Sequence, residues 1–327
     1  MRLDQPILVI TDHVGSIEDG YTLTGPSTQL LTLARSLTSG RIDAIALNPA
    51  PDLEQLGRFG ADRVLVPNLD GVSPRTWGIV ADCAFAAAQQ EPEYAAILNV
   101  SNYRGKEVAA ALGVRLGSGA AVDVTACHVN DGRVEAVKSV LAGSWTTTFQ
   151  VRRGTPVVAL RPSSIEAVPA DTPTQVEVQP LPVEFSASSL AVEVIESERQ
   201  PASGRVPLAE ASVVVCAGRG IEGDLTLVEA LADRLGAALG ATRVVCDEGW
   251  MERSTQIGQT GVSVAPKLYL GVGVSGAVHH ACGIQAAENI AVICDDPDAP
   301  IMELADFAVV GDLNDVIPAT LEALGQE

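Results

Sequence analysis

Between residues 256 and 280 the chain reads QIGQTGVSVAPKLYLGVGVSGAVHH. A glycine-punctuated turn carries Gln259 and Thr260, and the apolar run Leu268–Val274 follows. Ser275-Gly276 then sit at a predicted helix start, with His280 one turn further on. A strand that ends in Gly273-Val274-Ser275-Gly276 and opens a helix turns backbone N–H groups and a dipole end toward an anion. Hydroxyl, amide and imidazole groups close to that point suit a cofactor with a phosphate tail and a polar redox ring. A flavin dinucleotide is one ligand of that kind.

Charge placement in the same half is informative because cations are scarce there. Residues 201–327 hold six basic side chains against 18 carboxylates, so each arginine's position matters. Arg219 lies in a Gly-Arg-Gly turn after the predicted strand Ser212–Cys216, where a guanidinium can reach a pyrophosphate. Arg243 opens the predicted strand Thr242–Cys246, where its planar fork could stack on a ring. Each has a plainer reading in isolation. Arg219 suits a solvated turn, Arg243 a surface ion pair, His280 a satisfied structural role, and Asp312 a helix cap. His279 and His280 are adjacent, so a helix points them about 100° apart and away from a common metal. No nucleophile–base pair, G-x-S-x-G or Walker loop is present. Ser101–Lys106 could hold an anion at a helix start, although a solvated helix start is the better reading there.

The elements that must position these groups follow an α/β grammar. Strands predicted at Ile7–Thr11, Ile42–Leu47, Arg63–Val66 and Ala95–Asn99 alternate with helices over Thr28–Leu37, Asp52–Phe59, Arg75–Gln89 and Tyr103–Leu116. Such spacing builds a parallel sheet by right-handed crossovers. Residues 133–160 are expected to add strands to that sheet, and Gln175–Glu177 and Ala191–Ile195 to finish it. The series restarts with Ser212–Cys216, a helix over Asp224–Leu239, Leu268–Val274, a helix over Ala277–Ala287, Ile290–Cys294, a short helix over Ile301–Ala305, Phe307–Val310 and a helix over Asp315–Leu324. The fold class is therefore α/β with two domains, each a mainly parallel sheet flanked by helices, the second Rossmann-like. The boundary is placed at Gln200–Gly204, giving domains 1–200 and 201–327.

The 327 residues carry a formal net charge of −20, which disfavours nucleic acid and anionic membrane surfaces as partners. No apolar run reaches the roughly 18 residues of a membrane span. The first strand follows Met1 so closely that a leader has no room, and the expected location is the cytoplasm. The six scattered cysteines read as small buried thiols, not as disulfides or metal ligands.

In order and spacing, the series Gly218-Arg219-Gly220, Thr242-Arg243, Gln256–Gly261, Ala265-Pro266, Val272–Ala277 and His280 closely resembles the alpha subunit of electron transfer flavoprotein, bacterial type. The tail, with Asp296-Pro297, Ala299–Ile301, Ala305–Phe307 and Gly311–Leu313, is similar to it as well. The likeness runs nearly unbroken from about residue 212 and is looser before it. It implies one FAD held mainly by the second domain, and a beta subunit that completes a heterodimer by packing on the first. It assigns Arg219 and Ser275, with main-chain groups of Gly276 and Ala277, to the phosphates. Arg243 would lie against the isoalloxazine ring, Gln259 and Thr260 would serve its N5–O4 edge, and His280 its N1–O2 edge. Asp312 and Leu313 would sit near the adenosine, while Thr242, Ile257, Gly258, Val278, His279 and Cys294 complete the cofactor-binding set. Departures from the family pattern are Thr242 for serine, Cys294 for asparagine, His279 for glutamine, and the loop Trp250–Thr255.

The resemblance also implies a role. An electron carrier would take electrons from flavin dehydrogenases, such as acyl-CoA dehydrogenases, and pass them one at a time to a membrane quinone-linked oxidoreductase. His280 as a cation or strong donor, with Arg243 over the ring, would favour negative charge on the reduced flavin. No residue is assigned as a substrate base, so the expectation is a carrier and not an enzyme, with no catalytic residue and no metal. Two other readings stand beside it. An electron-bifurcating relative would use NADH and hold a second flavin or AMP in the partner subunit, and a non-redox regulatory protein would bind nucleotide on the same fold.

Overall fold

The computed structural model describes residues 2–90, 93–141, 145–197 and 204–325. The chain divides into two compact units, residues 1–199 and 200–327. The predicted boundary residues Gln200–Ser203 lie outside the described residues.

In the first unit β1 (Ile7–Thr11) is followed by a hairpin of β2 (His13–Ser16) and β3 (Gly20–Leu23), then α1 (Gly25–Leu37). There follow β4 (Ile42–Ala46), α2 (Leu53–Arg58), β5 (Arg63–Pro67), α3 (Trp77–Gln90), β6 (Ala96–Val100) and α4 (Tyr103–Arg115). The chain continues through β7 (Ala120–Val124), β8 (Ala126–Asn130), β9 (Arg133–Val140), β10 (Trp145–Gln150), β11 (Val157–Leu160), β12 (Glu177–Leu181) and α5 (Ala187–Leu190). Seven of these strands form one parallel sheet in the order β12-β5-β4-β1-β6-β11-β7.

The run Ile7-Leu8-Val9-Ile10 explains why β1 is central. Successive strand residues face opposite sides. Ile7 and Val9 enter one apolar core beneath α1, and Leu8 and Ile10 enter the other beneath α3 and α4. A strand covered on both faces reads as an unbroken apolar run. Asp43 interrupts this pattern on β4. It lies in register with Arg63 on β5 and pairs with it at 2.6 Å, while the Tyr94 hydroxyl donates to the same carboxylate at 2.7 Å. These partners hold the Asp43 carboxyl below the usual carboxylate range, although burial alone would raise it.

Two expectations for this unit are corrected, and one element is new. β9 and β10 join β8 in a separate three-stranded antiparallel sheet, so only β11 of residues 133–160 extends the main sheet. Val134 and Ala136 are buried while the rest of β9 is partly or fully exposed, the half-covered pattern of an antiparallel layer. Residues 191–195 are not a strand; they follow α5 with exposed side chains. The hairpin β2–β3 is an element that sequence pattern did not indicate.

The second unit runs β13 (Val213–Ala217), α6 (Thr226–Leu235), β14 (Ala238–Ala241), α7 (Arg243–Asp247), β15 (Leu268–Val272), α8 (Val278–Ala281), β16 (Ile290–Cys294), β17 (Phe307–Val310) and α9 (Leu313–Leu324). Its sheet is parallel throughout, in the order β14-β13-β15-β16-β17. The strand order reverses between β13 and β15. In open α/β sheets a ligand crevice forms beyond the carboxyl ends at such a reversal.

Two assignments here are corrected as well. Residues 242–246 form the N-cap and first turns of α7, and the strand precedes them at Ala238–Ala241. α6 stops because Gly236 takes a left-handed conformation (φ 59°), freeing the next residues to pair with β13. The helix expected over residues 277–287 is the single turn α8. No helix among the described residues is long and apolar enough to cross a membrane.

Candidate functional site

The crevice at the strand reversal is built by two loops locked together through their backbones. After β13, Gly218 N–H donates to Val272 O at 2.8 Å, and Gly220 N–H donates to Gly273 O at 3.0 Å. A Cβ on Gly218 would stand 2.1 Å from the Gly273 carbonyl oxygen, so only glycine permits this approach. Gly273 itself has φ 62° and turns the chain out of β15 toward Ser275. Gly276 follows at φ 78°, with its α-carbon against the Ile301 backbone, where a Cβ would meet Ile301 N at 2.5 Å.

This turn leaves the N–H groups of Gly276, Ala277 and Val278 without a protein acceptor among the described residues. The Arg219 guanidinium stands exposed at the same loop pair and has no hydrogen-bond or ion-pair partner among them. Backbone donors, the Ser275 hydroxyl and a free guanidinium make an anion-binding set. With α8 only one turn long, the donors themselves and not a long helix dipole supply most of that attraction.

A cavity of about 610 Å³ opens at this point. Around it the structure brings together Arg219, Thr242, Arg243, Ile257, Gly258, Gln259, Thr260, Ser275, Gly276, Ala277, His279 and His280. Val278, Cys294, Asp312 and Leu313 do not line it. Cys294 ends β16, and Asp312 caps α9 by accepting from Asn314 N–H at 2.8 Å, both further along the carboxyl edge. Cys294 O accepts from Gly311 N–H at 3.1 Å, which ties those two strand ends together.

The turn carrying Gln259 and Thr260 is stitched to its surroundings. Ile257 N–H donates to Ala241 O at 2.9 Å, and Gln259 N–H donates to His279 O at 2.7 Å. Buried Gln256 (3% exposed) donates from Nε2 to the Thr260 hydroxyl at 3.0 Å, so the hydroxyl proton is free to point elsewhere. Gln256 belongs to the Gln256–Gly261 motif, but its role is not readable from the motif. Its position between Thr260 and Arg253, whose Nη1 lies 3.5 Å from Gln256 Oε1, is visible only in three dimensions.

Arg243 starts α7 and pairs with Asp247 one turn on, at 3.1 Å, and Arg253 holds the other oxygen of that carboxylate at 2.7 Å. The pair is largely exposed and of the i,i+4 helix type, worth a few tenths of a kcal/mol, roughly. Its effect is to restrain where the guanidinium sits beside the cavity.

His280 differs from expectation. It is 6% exposed and both ring nitrogens are taken by protein. Nδ1 lies 3.0 Å from Ile257 O, which can only accept, so Nδ1 carries the proton. Nε2 then accepts from the Tyr269 hydroxyl at 2.7 Å. Burial pushes the imidazole below its ordinary value, opposed in part by the bond to Ile257. His280 is thus a neutral ring with no free donor, and the cationic role read from sequence does not fit this arrangement. Cys216 lies 4.0 Å from Nε2, and burial pushes its thiol up to about 12. All six cysteines are free, four of them buried.

Residues 207–285 match the family model described as electron transfer flavoprotein FAD-binding domain, and residues 14–186 match the electron transfer flavoprotein domain. The electron transfer flavoprotein subunit alpha of Mycobacterium leprae (strain TN) is 37% identical over 327 residues, covering 97% of each chain. The chain belongs to the electron transfer flavoprotein alpha-subunit family. The subunit alpha of Mycobacterium tuberculosis (strain ATCC 25618 / H37Rv) is 36% identical, over 97% of this chain and 98% of its own. That of Bacillus subtilis (strain 168) is 31% identical over 96% of each. The cofactor of this family's second domain is FAD. Unpartnered N–H groups at Gly276–Val278, the free Arg219 guanidinium and a cavity of this size fit such a group.

Proposed function

We propose that the chain is the FAD-carrying subunit of a two-subunit electron carrier, completed by a beta subunit. It takes electrons from flavin dehydrogenases, such as acyl-CoA dehydrogenases, and passes them singly to a membrane quinone-linked oxidoreductase. FAD supplies the redox ring. The observation that carries the carrier reading is the chemistry of the cavity wall. No carboxylate or thiol lines it among the described residues, and the buried imidazole has both nitrogens engaged. Such a wall binds and tunes a ring but offers no buried acid–base group to turn over a substrate.

Each residue then has a task of its own. Arg219, Ser275 and the N–H groups of Gly276 and Ala277 hold the diphosphate. Arg243, steadied by Asp247, places positive charge beside the ring and favours its reduced form. Thr260, with its oxygen occupied by Gln256, would have its hydroxyl proton to offer the ring's N5–O4 edge, next to Gln259. The pair Tyr269–His280 fixes the Ile257 carbonyl and so the turn that carries these two residues. Thr242, Gly258, Val278 and His279 contribute main-chain or flanking contacts. Cys294, Asp312 and Leu313 extend the site to the adenosine along the strand ends.

The test is the visible spectrum of the chain co-expressed with its beta-type subunit, followed through stepwise dithionite reduction. Flavin bands that bleach in two resolved one-electron stages are expected. A colourless complex that FAD does not reconstitute overturns the reading.

A further inference from the structure

The first unit has its own strand reversal, and polar groups are left over there. Strand order moves from β1 through β4 to β5 and then returns to β6 on the other side of β1. A cavity of about 440 Å³ lies at the carboxyl ends of these strands, lined by the segments that follow β1, β4, β5 and β6. Asn48, which follows β4, is 4% exposed and borders the cavity. Its Oδ1 accepts from Ala50 N–H at 3.0 Å, but its Nδ2 has no partner among the described residues. On the hairpin over the same cavity, both ring nitrogens of His13 are buried and have no partner among the described residues.

Buried polar groups are nearly always satisfied, and leaving a donor unmet costs on the order of 1–3 kcal/mol. Three orphaned nitrogens around one cavity therefore call for an occupant that hydrogen-bonds. His13 offers one donor and one acceptor, because burial pushes its imidazole down to about 4 and keeps it neutral. Asn48 offers a further donor. The same wall carries positive charge. Asn102 caps the 13-residue helix α4 at the cavity, so its first N–H groups face the crevice. Arg104 is held by Asp12 and by Pro74 O at 2.6 Å, whereas the exposed Arg75 guanidinium has no partner among the described residues. An anion meets a helix start and a free guanidinium there.

We propose that the first unit binds a mononucleotide at this reversal. Its phosphate lies against Arg75 and the start of α4, and its base meets His13 and Asn48. The volume suits a small ligand and is smaller than the cavity of the second unit. The site is independent of the flavin reading and stands or falls separately.

The experiment is equilibrium dialysis of labelled AMP against the full chain with its beta-type subunit, saturated with FAD, with retention by the beta-type subunit alone subtracted and flavin content measured in parallel. Arg75→Ala, an exposed substitution that leaves the core intact, should weaken AMP retention about tenfold at unchanged flavin content, and Asn48→Ala by a similar factor. Arg219→Ala should leave AMP retention as it is, because that residue belongs to the other cavity. Adenosine without phosphate should compete at least tenfold less well than AMP. Absent AMP binding, or binding that neither Arg75→Ala nor Asn48→Ala alters, overturns the proposal. Displacement by inorganic phosphate as effective as by AMP reduces the site to an anion contact and overturns it equally.

Discussion

Replacing Tyr269 by phenylalanine removes one oxygen from the centre of the second unit and leaves the Nε2 of His280 facing an apolar gap. The ring cannot compensate by changing tautomer, since moving its proton to Nε2 would unpair the Ile257 carbonyl at 3.0 Å. It cannot readily become charged either, because burial already disfavours the imidazolium. One buried acceptor is thus orphaned, at about 1–3 kcal/mol. His280→Leu should be worse, because it orphans both the Tyr269 hydroxyl and the Ile257 carbonyl. In the double variant Tyr269→Phe/His280→Leu only the Ile257 carbonyl is left. Its destabilisation should therefore fall short of the sum of the single changes by the cost of two orphaned groups, about 2 kcal/mol or more. Urea unfolding at saturating FAD supplies the four energies, and flavin fluorescence supplies the FAD dissociation constants. Loosening the turn at residues 257–260 should raise the Tyr269→Phe constant about tenfold, the equivalent of about 1.4 kcal/mol. Energies that add without a shortfall, together with wild-type FAD affinity in His280→Leu, would refute the argument that this pair positions the turn.

Arg219→Ala should weaken FAD retention by roughly 10- to 100-fold through loss of one charge-assisted contact, with little change in flavin potential; dialysis and a redox titration read the two effects apart. Gly276→Ala puts a methyl group 2.5 Å from Ile301 N at φ 78°, and should lower stability by about 2 kcal/mol or more along with FAD occupancy, seen as a lower melting temperature. Stability should also fall with acid. His13 is neutral in the folded chain down to about pH 4 but takes up a proton near 6.5 when unfolded. Its contribution, about 3 kcal/mol, is fully present above pH 6.5 and is lost as pH falls toward 4. His280 shifts in the same direction. Urea midpoints at pH 7 and pH 4.5 should differ less in His13→Gln than in the unaltered chain.

Central strands were legible because five-residue apolar runs such as Ile7–Thr11 have no other way to be buried in a chain that alternates with helices. Residues 242–246 were not. Thr242, Val244 and Val245 favour a strand locally, yet the sheet has already ended at Ala241, and Thr242 N–H is taken by Ala217 O at 2.9 Å. Ala238 and Leu239 read as a helix tail because neither carries a strong strand preference; register with β13 decides it. In the candidate site, the turn glycines and the two arginines could be located from motif and charge scarcity. The state of His280 could not, since it depends on Tyr269 and on a carbonyl 23 residues away in sequence. Asp43 and Arg63 were equally silent, as only strand register makes them neighbours.

The backbone seam between Gly218, Gly220 and Gly273 bears on how such a protein can diverge. With no room for a Cβ at Gly218 and carbonyl-to-amide bonds across the seam, neither loop can drift without dragging the other strand end along. Inheritable change is then channelled into side chains that lean away from the seam, such as Arg243 on its own short helix or Cys294 at a neighbouring strand end. Lineages could retune potential or partner preference by such substitutions while the geometry of the loop pair stays fixed.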